Sequence, residues 1–365
     1  MGIKLHSFVQ GRFINGSVII CIEKKEVGMK KIKVAMIGYG GIARSHHAGY
    51  HLLEKEGEPI QLVAVCDIDH SKFESHIGIN IETGSVGLPT DIHTYTNVDD
   101  LLASEAFDMA DICLPSYLHK AYAVKLLRAG KHVLSEKPMA LSVAECDEMI
   151  AASNETGCRL MIGQCLRFNV QYLYLKQCVE SGIYGKARHL FMNRLSSQPT
   201  WGFEQWYQDT DKSGGCILDM HIHDVDMVRF LFGEPEAVSS ITLDGETRYQ
   251  VVNTRIFYKD MLVSINGSWG EASGTPFQMD YRIRFDKATV LFDGSKVMVY
   301  PQDGEPFEPE LPCVDHIAEE IRMFIYTVIG QVQNESNPPE SARETVKLIE
   351  KMRESAIRGG EVIMI

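Results

Sequence analysis

The chain has 365 residues, 45% of them hydrophobic and 23% charged, with a formal net charge of -13. That length holds two domains with a core in each, and the acidic balance excludes a nucleic-acid partner, because phosphate binding needs a basic surface. The nine cysteines form no C-x-x-C pair and sit mostly in apolar runs such as Val65-Cys66 and Ile112-Cys113, which points to buried thiols in the cytoplasm, while no stretch approaches the roughly 18 apolar residues of a membrane span.

Residues 1–28 read as foreign to the rest of the chain. Their apolar run, Val18 to Ile22, is too short for a signal-peptide core. The codons for Lys25-Glu26-Val27 can spell a bacterial ribosome-binding sequence ahead of Met29. A non-native or disordered extension is therefore expected up to residue 28, with folded sequence from 29.

From Lys31 strands and helices alternate. Ile32–Ile37, Gln61–Cys66, Met109–Leu114, Lys131–Ser135 and Arg159–Gly163 are short, apolar and β-branched-rich, and each ends at a glycine, acid or proline. Between them lie helical stretches such as Lys120–Ala129, closed by Gly130, and Val143–Thr156, with Ser142 as N-cap and Glu145 at the capping-box position. Strand–helix alternation predicts a doubly wound parallel sheet over residues 29–150. After Ala187 the texture changes to strands separated by tight turns: Ala187–Leu195, Val238–Leu243, Val251–Tyr258, Met261–Ser268, Tyr281–Phe285, Thr289–Phe292 and Lys296–Tyr300. These predict an α+β domain over 151–340 with an open, mainly antiparallel sheet. A last helix over 341–358, opened by Pro338-Pro339 and stopped by Gly359-Gly360, is expected to pack back near the domain junction within a tail segment 341–365.

Three motifs carry chemistry. Gly38-Tyr39-Gly40-Gly41-Ile42-Ala43 follows a strand and opens a helix, and Asp67 ends the next strand where a ribose-binding acid belongs. The glycines permit a tight turn and close approach of a pyrophosphate, and the helix N-terminus favours its charge, so this is a Rossmann dinucleotide site. An acid at Asp67 favours NAD over NADP, although nearby Lys72 blunts that preference. Glu136-Lys137-Pro138 ends a strand at the carboxyl edge of the sheet, where such folds place ligands. Ser213-Gly214-Gly215 introduces an expected single helix from Cys216 to Phe232, on which Leu218, Ile222 and Val225 form an apolar stripe. Asp219 and His223, four apart, share the opposite face, either as a proton-transfer pair or as an exposed intrahelical pair.

The ordered set G-x-G-x-x-A, E-K-P and G-G-x-x-x-D-x-x-x-H resembles the Gfo/Idh/MocA oxidoreductase family over essentially all of residues 29–365. The resemblance implies a second domain that often forms the oligomer interface, hence a dimer or tetramer, and a catalytic set of Lys137, Asp219 and His223. It also implies cofactor contacts along Gly38–Ala43, Asp67, Leu114, Pro115, His119, Glu136 and Lys137. Arg167, after the fifth strand, and the aromatic residues Trp206 and Tyr207 are expected to reach a sugar-like substrate together with Asp219 and His223. Leu114-Pro115-Ser116 stands where members commonly carry Thr-Pro-Asn, and His221 where many carry glycine. No metal is expected: His221 and His223, two apart on a helix, diverge. The activity this implies is hydride transfer between NAD and a secondary alcohol or ketone of a sugar or cyclitol. The competing readings are a glycoside hydrolase working through transient oxidation and a non-catalytic NAD-binding regulator.

Overall fold

The computed structural model describes residues 30–74 and 88–365, and the backbone of Gly11–Ile14 and Ser17–Ile20. Those two short segments, β1 (Gly11–Ile14) and β2 (Ser17–Ile20), pair antiparallel in a hairpin that joins neither of the larger sheets. Apart from this hairpin, the expected non-native or disordered extension over residues 1–28 lies outside the described residues.

The first sheet is built from β3 (Ile32–Ile37), β4 (Ile60–Cys66), β5 (His93–Tyr95), β6 (Met109–Ile112), β7 (His132–Glu136) and β8 (Leu160–Gly163). Their spatial order is β5-β4-β3-β6-β7-β8 and every pairing is parallel. β3, β6 and β8 are buried almost throughout, as strands covered by helices on both faces must be. The covering helices are α1 (Gly41–Lys55), α2 (Val98–Ser104), α3 (His119–Arg128) and α4 (Val143–Thr156). Ser142 caps α4 by accepting from the Glu145 amide at 3.3 Å, and the Glu145 carboxylate returns a bond to the Leu141 amide. The order reverses between β3 and β6, the switch point where doubly wound sheets bind ligands. Because β8 bonds to β7, this sheet extends to Gly163, past the boundary expected at 150.

The chain then enters the second domain through α5 (Val170–Ser181). Its sheet contains β9 (Ala187–Leu195), β10 (Ala237–Leu243), β11 (Val251–Tyr258), β12 (Met261–Ser268), β13 (Gln278–Phe285), β14 (Ala288–Phe292), β15 (Val297–Pro301) and β16 (Ile363–Met364). The order is β15-β14-β13-β9-β12-β11-β10-β16, antiparallel except for the β9–β12 pair. One face packs on α5, α8 (Ile222–Phe232) and α10 (Pro339–Ile357), and burial alternates along β9 and β11 as a one-sided sheet requires. Two short helices, α6 (Thr210–Ser213) and α7 (Cys216–Asp219), precede α8.

One element crosses back. The helix α9 (His316–Val328), capped by Asp315 accepting from the Ile317 and Ala318 amides, buries Ile317, Ala318, Ile321 and Phe324 with Tyr50 and Leu53 of α1. Gly49 makes the approach possible, since a Cβ there would stand 3.2 Å from Ile321 Cδ1. Residues 316–328 thus belong to the core of the first domain, contrary to the expected 151–340 unit. α10 packs on α8, α4 and β10, at the junction.

Candidate active site

The glycine turn lies at the switch point. Gly38 has φ +89°, and a Cβ there would stand 2.6 Å from the Cys113 carbonyl oxygen. Only glycine fits the left-handed backbone and the close crossing of the β3 and β6 ends. At Gly40 a Cβ would meet nothing within 4 Å, so open space stands over the N-terminus of α1, an end that favours an anion. Ala43 is buried against the sheet. The Tyr39 amide donates to Asp67 Oδ2 at 2.7 Å, while its ring is buried with its hydroxyl 2.7 Å from His47 Nδ1 and Arg44 over its face. Tyr39 can therefore offer a cofactor only backbone. Lys72 Nζ lies 3.1 Å from both Asp67 oxygens, and Oδ1 also accepts from the Asp69 amide. The open turn, helix terminus and strand-end acid fit a dinucleotide.

Lys137 follows β7. Its ammonium donates to the Asp219 carbonyl oxygen at 2.7 Å and stands 3.5 Å from Asp219 Oδ1. Glu136 points the other way. Its Oε1 is 3.1 Å from His46 Nε2 and its Oε2 accepts from the Lys137 amide at 3.1 Å, inside the protein. The cofactor contact expected of Glu136 is thus corrected to support of the Lys137 backbone. His119 is likewise buried, with ring nitrogens 2.7 Å from the Pro138 oxygen and 2.8 Å from the Leu114 oxygen. Burial holds its pKa below the ordinary value, with the two carbonyls opposing. Neutral, the ring donates to one of these carbonyls at a time and packs between the β6 and β7 ends behind half-buried Leu114 and Pro115, so the cofactor contact expected of His119 becomes a supporting role.

The expected single helix from Cys216 to Phe232 is broken. α7 ends at Asp219, and the His221 amide bonds back to the Cys216 oxygen before α8 begins at Ile222. Gly215 starts it with φ +73°, where a Cβ would stand 2.6 Å from the Arg248 oxygen. The break turns Asp219 toward Lys137 and away from the imidazole it was expected to orient. Burial raises the Asp219 pKa against the pull of Lys137. His223 Nδ1 is buried without a hydrogen-bond partner. Burial, then the cations of Lys137 and Arg194, hold the His223 pKa well below its ordinary value. His221 lies in the core, 3.1 Å from Thr254 Oγ1, in room that Gly267 leaves: a Cβ there would stand 2.8 Å from its Nδ1.

Two further expectations change. Arg167 does not face the substrate cleft. It is buried, with a two-pronged pair to Asp226 at 2.7 Å on each arm and bonds to the Ser336 oxygen and Ser341 hydroxyl. Trp206 is buried and stacks on Tyr207 at 3.9 Å between centroids. Tyr207 also meets Trp201 and Trp269 edge-on, and burial, then the charges of Asp219 and Glu136, raise its phenol pKa well above the ordinary value. Tyr207 therefore borders the Lys137–Asp219 pair, with Trp206 behind it. The sequence reading missed His46 and Asp111, although an aspartate inside the apolar run Met109-Ala110-Asp111-Ile112-Cys113 was a visible anomaly. Arg194, paired to Asp224 at 2.9 and 3.0 Å behind His223, left no signal, because the pair joins a strand to a helix 30 residues apart.

Two family models match: the oxidoreductase family with NAD-binding Rossmann fold, GFO_IDH_MocA, over residues 32–164, and the GFO/IDH/MocA C-terminal domain over 172–291. The chain is 30% identical over 212 residues to 2,7-anhydro-N-acetylneuraminate hydratase of Mediterraneibacter gnavus, covering 58% of this chain and 52% of the relative. It is 29% identical to glucose-6-phosphate 3-dehydrogenase of Bacillus subtilis, covering 64% of this chain and 63% of the relative. It thus spans about two fifths to two thirds of the curated relatives it matches. Among solved structures, the WlbA dehydrogenase of Bordetella pertussis in complex with NADH and UDP-GlcNAcA superposes with a TM-score of 0.73 at 21% identity, over 92% of this chain and 99% of that one. Motifs, strand order and both domain matches agree: the chain belongs to the Gfo/Idh/MocA oxidoreductase family.

Proposed function

We propose that this protein is an NAD-dependent dehydrogenase acting on a secondary alcohol or ketone of a sugar or cyclitol, with Lys137, Asp219 and His223 as its catalytic residues. The observation that carries the reading is the contact of Lys137 with Asp219 at the carboxyl end of β7, with buried His223 within reach of the Lys137 charge and the open glycine turn on the same sheet edge. The residues that would hold the dinucleotide are the backbone of Gly38 to Ile42, Asp67 on the adenosine ribose, and Leu114 and Pro115 along the nicotinamide side. When bound, that group supplies the hydride acceptor or donor. The Lys137 ammonium, fixed by Asp219, donates a hydrogen bond to the reacting oxygen and steadies the charge that develops there. His223, kept neutral by burial and by the cations around it, takes the hydroxyl proton. Tyr207 walls the cleft and excludes water. Free thiols among the described cysteines support a reducing, cytoplasmic setting; no described helix is long and apolar enough to cross a membrane. The uncovered face of the second sheet supports a homo-oligomer, through the apolar side chains exposed on it.

A second reading, elimination through transient oxidation, draws on the hydratase name of one relative. A screen of polyols, sugars and glycosides with NAD and NADP separates the two. Net reduced nicotinamide with an oxidised sugar supports the dehydrogenase, and an elimination product without net reduced nicotinamide supports the rival. Turnover of none of these substrates by a protein that binds NAD overturns both.

A further inference from the structure

Behind Lys137 lies a buried array that the proposed chemistry does not use. His46 of α1 places Nδ1 2.8 Å from Asp111 Oδ2 and Nε2 3.1 Å from Glu136 Oε1. A ring with carboxylate oxygens at both nitrogens must donate twice, and only the imidazolium does so. Asp111 also accepts from the Tyr50 hydroxyl at 2.9 Å and faces the Cys113 thiol at 3.7 Å. The charges are therefore negative, positive, negative across β6, α1 and β7, with all three side chains at least nine-tenths buried.

A fourth group meets them from α9. Glu320 is 1% exposed, and neither of its carboxylate oxygens has a hydrogen-bond partner among the described residues. A Cβ on Gly163 would stand 2.9 Å from Glu136 Oε1 and 3.2 Å from Glu320 Oε1, so the two carboxyl groups face each other across the bare backbone of β8. An isolated buried carboxylate costs several kcal/mol, and a like charge beside it adds to that. The groups around Glu320 are Glu136 on β7, His46 and Tyr50 on α1, Asp111 on β6, and Cys165 and Arg167 after β8. His46 is already shared by two acids, and Arg167 is engaged by Asp226.

We propose that Glu320 is a positioning residue that stays protonated at neutral pH, completing a proton-holding array with His46, Asp111 and Glu136 that fixes the backbone presenting Lys137. The link to Lys137 is direct: Glu136 Oε2 accepts its amide hydrogen. The directions of titration agree with the geometry. Burial and then Glu136 push Glu320 well above the usual carboxylate range, and Asp111 lifts His46 well above its ordinary value against the effect of burial. An acid whose pKa is raised by folding contributes stability that is present below the unfolded value, about 4.3, and lost as pH rises toward the folded value.

Glu320→Gln copies the neutral acid and cannot ionise, so it tests the assignment directly. Melting temperatures of parent and variant should coincide near pH 4. The variant should then gain steadily on the parent as pH rises, until Glu320 ionises in the folded parent. Infrared difference spectroscopy at pH 7 should find a protonated-carboxyl stretch in the parent that the variant lacks. Neither readout needs substrate, so failure of the proposed activity leaves them standing. The effect on turnover rests on the catalytic role of Lys137: the variant should keep parental kcat at pH 7 and lose the parent's decline at alkaline pH. Parallel melting curves from pH 4 to pH 9, or no carboxylic-acid band attributable to Glu320, overturn the proposal.

Discussion

His223 reaches the state a proton acceptor needs by a route different from the one its spacing implied. A carboxylate four residues back would favour the imidazolium, yet Asp219 belongs to Lys137. What remains around the ring is burial and positive charge, both of which favour the neutral base. His223→Ala should therefore fold, bind NAD and lose roughly 10²–10⁴-fold in turnover, equivalent to about 3–5 kcal/mol at the barrier. Because the pKa lies below 6.5, the acid limb of kcat in the parent should fall below pH 6.5, and the alanine variant should lose it. Turnover within a few-fold of the parent would return His223 to a packing role. At the other end of the cleft, Lys72 covers both oxygens of Asp67 and weakens the repulsion that acid exerts on a 2′-phosphate. Lys72→Ala should raise the NAD over NADP preference by about tenfold, the effect of 1.4 kcal/mol, whereas Asp67→Ser with Ile68→Arg should move it toward NADP. Binding titrations with both nucleotides check the pair, and an unmodified protein that prefers NADP contradicts the assignment. Gly38, Asp67 and Lys137 were legible because each stands at a strand end in a fixed motif. The partner of Asp219 was not, since it depends on where α7 stops.

At the scale of elements, the alternation of buried and exposed residues marked most strands of the second sheet to within a few residues, and the two-residue turn Lys259-Asp260 falls between β11 and β12. Hairpin partners are neighbours in sequence, so a period of two suffices. β5 escaped notice: three residues, largely exposed, carry no apolar signal. The break between α7 and α8 escaped for another reason. Cys216 to Phe232 contains no glycine or proline, and the break follows from contacts with Thr254 and Lys137 that only tertiary structure supplies. Arg167 shows the same limit, for its place after β8 resembled a route to substrate while its partners lie 59 to 174 residues away. Asp226, buried with it, also accepts from Thr345 Oγ1 at 2.8 Å, so the pair ties α8 to α10. Arg167→Met should leave that carboxylate unpaired and cost about 3–5 kcal/mol of stability, read as a lower urea midpoint at unchanged slope. A variant of parental stability with a raised KM would instead place Arg167 against substrate.

At the scale of the whole molecule, the two domains interlock, since α9 closes the first and α10 seals the second against it. Among the described residues, the outer face of the second sheet has no covering layer. Phe191, Leu262, Ile241, Leu243 and Tyr300 stand exposed on it. An amide ladder crosses its middle, from Asn253 to Asn266 at 2.6 Å, to Asn193 at 2.8 Å and to Asp280 at 2.8 Å. The bonds between the three amides and the Asp280 carboxylate satisfy part of what water would otherwise satisfy, which lowers the cost of drying the middle of the face. Arg255, Arg282 and Arg284 also lie on these strands, which makes this face less acidic than a chain of net charge -13 would present elsewhere. Two copies can meet there against less repulsion. Eight strands about 4.8 Å apart and about 20 Å long cover roughly 700 Å² on each partner, close to the ~800 Å² per partner of stable interfaces. A twofold pairing would bring the same patch together from both chains, so one substitution acts twice. Phe191→Lys with Leu262→Lys, both on the outer face, should lower the assembly state measured by sedimentation or light scattering while preserving the circular dichroism spectrum. If the unmodified protein is monomeric at micromolar concentration, or if the double variant assembles as the parent does, the oligomer is not built on this face.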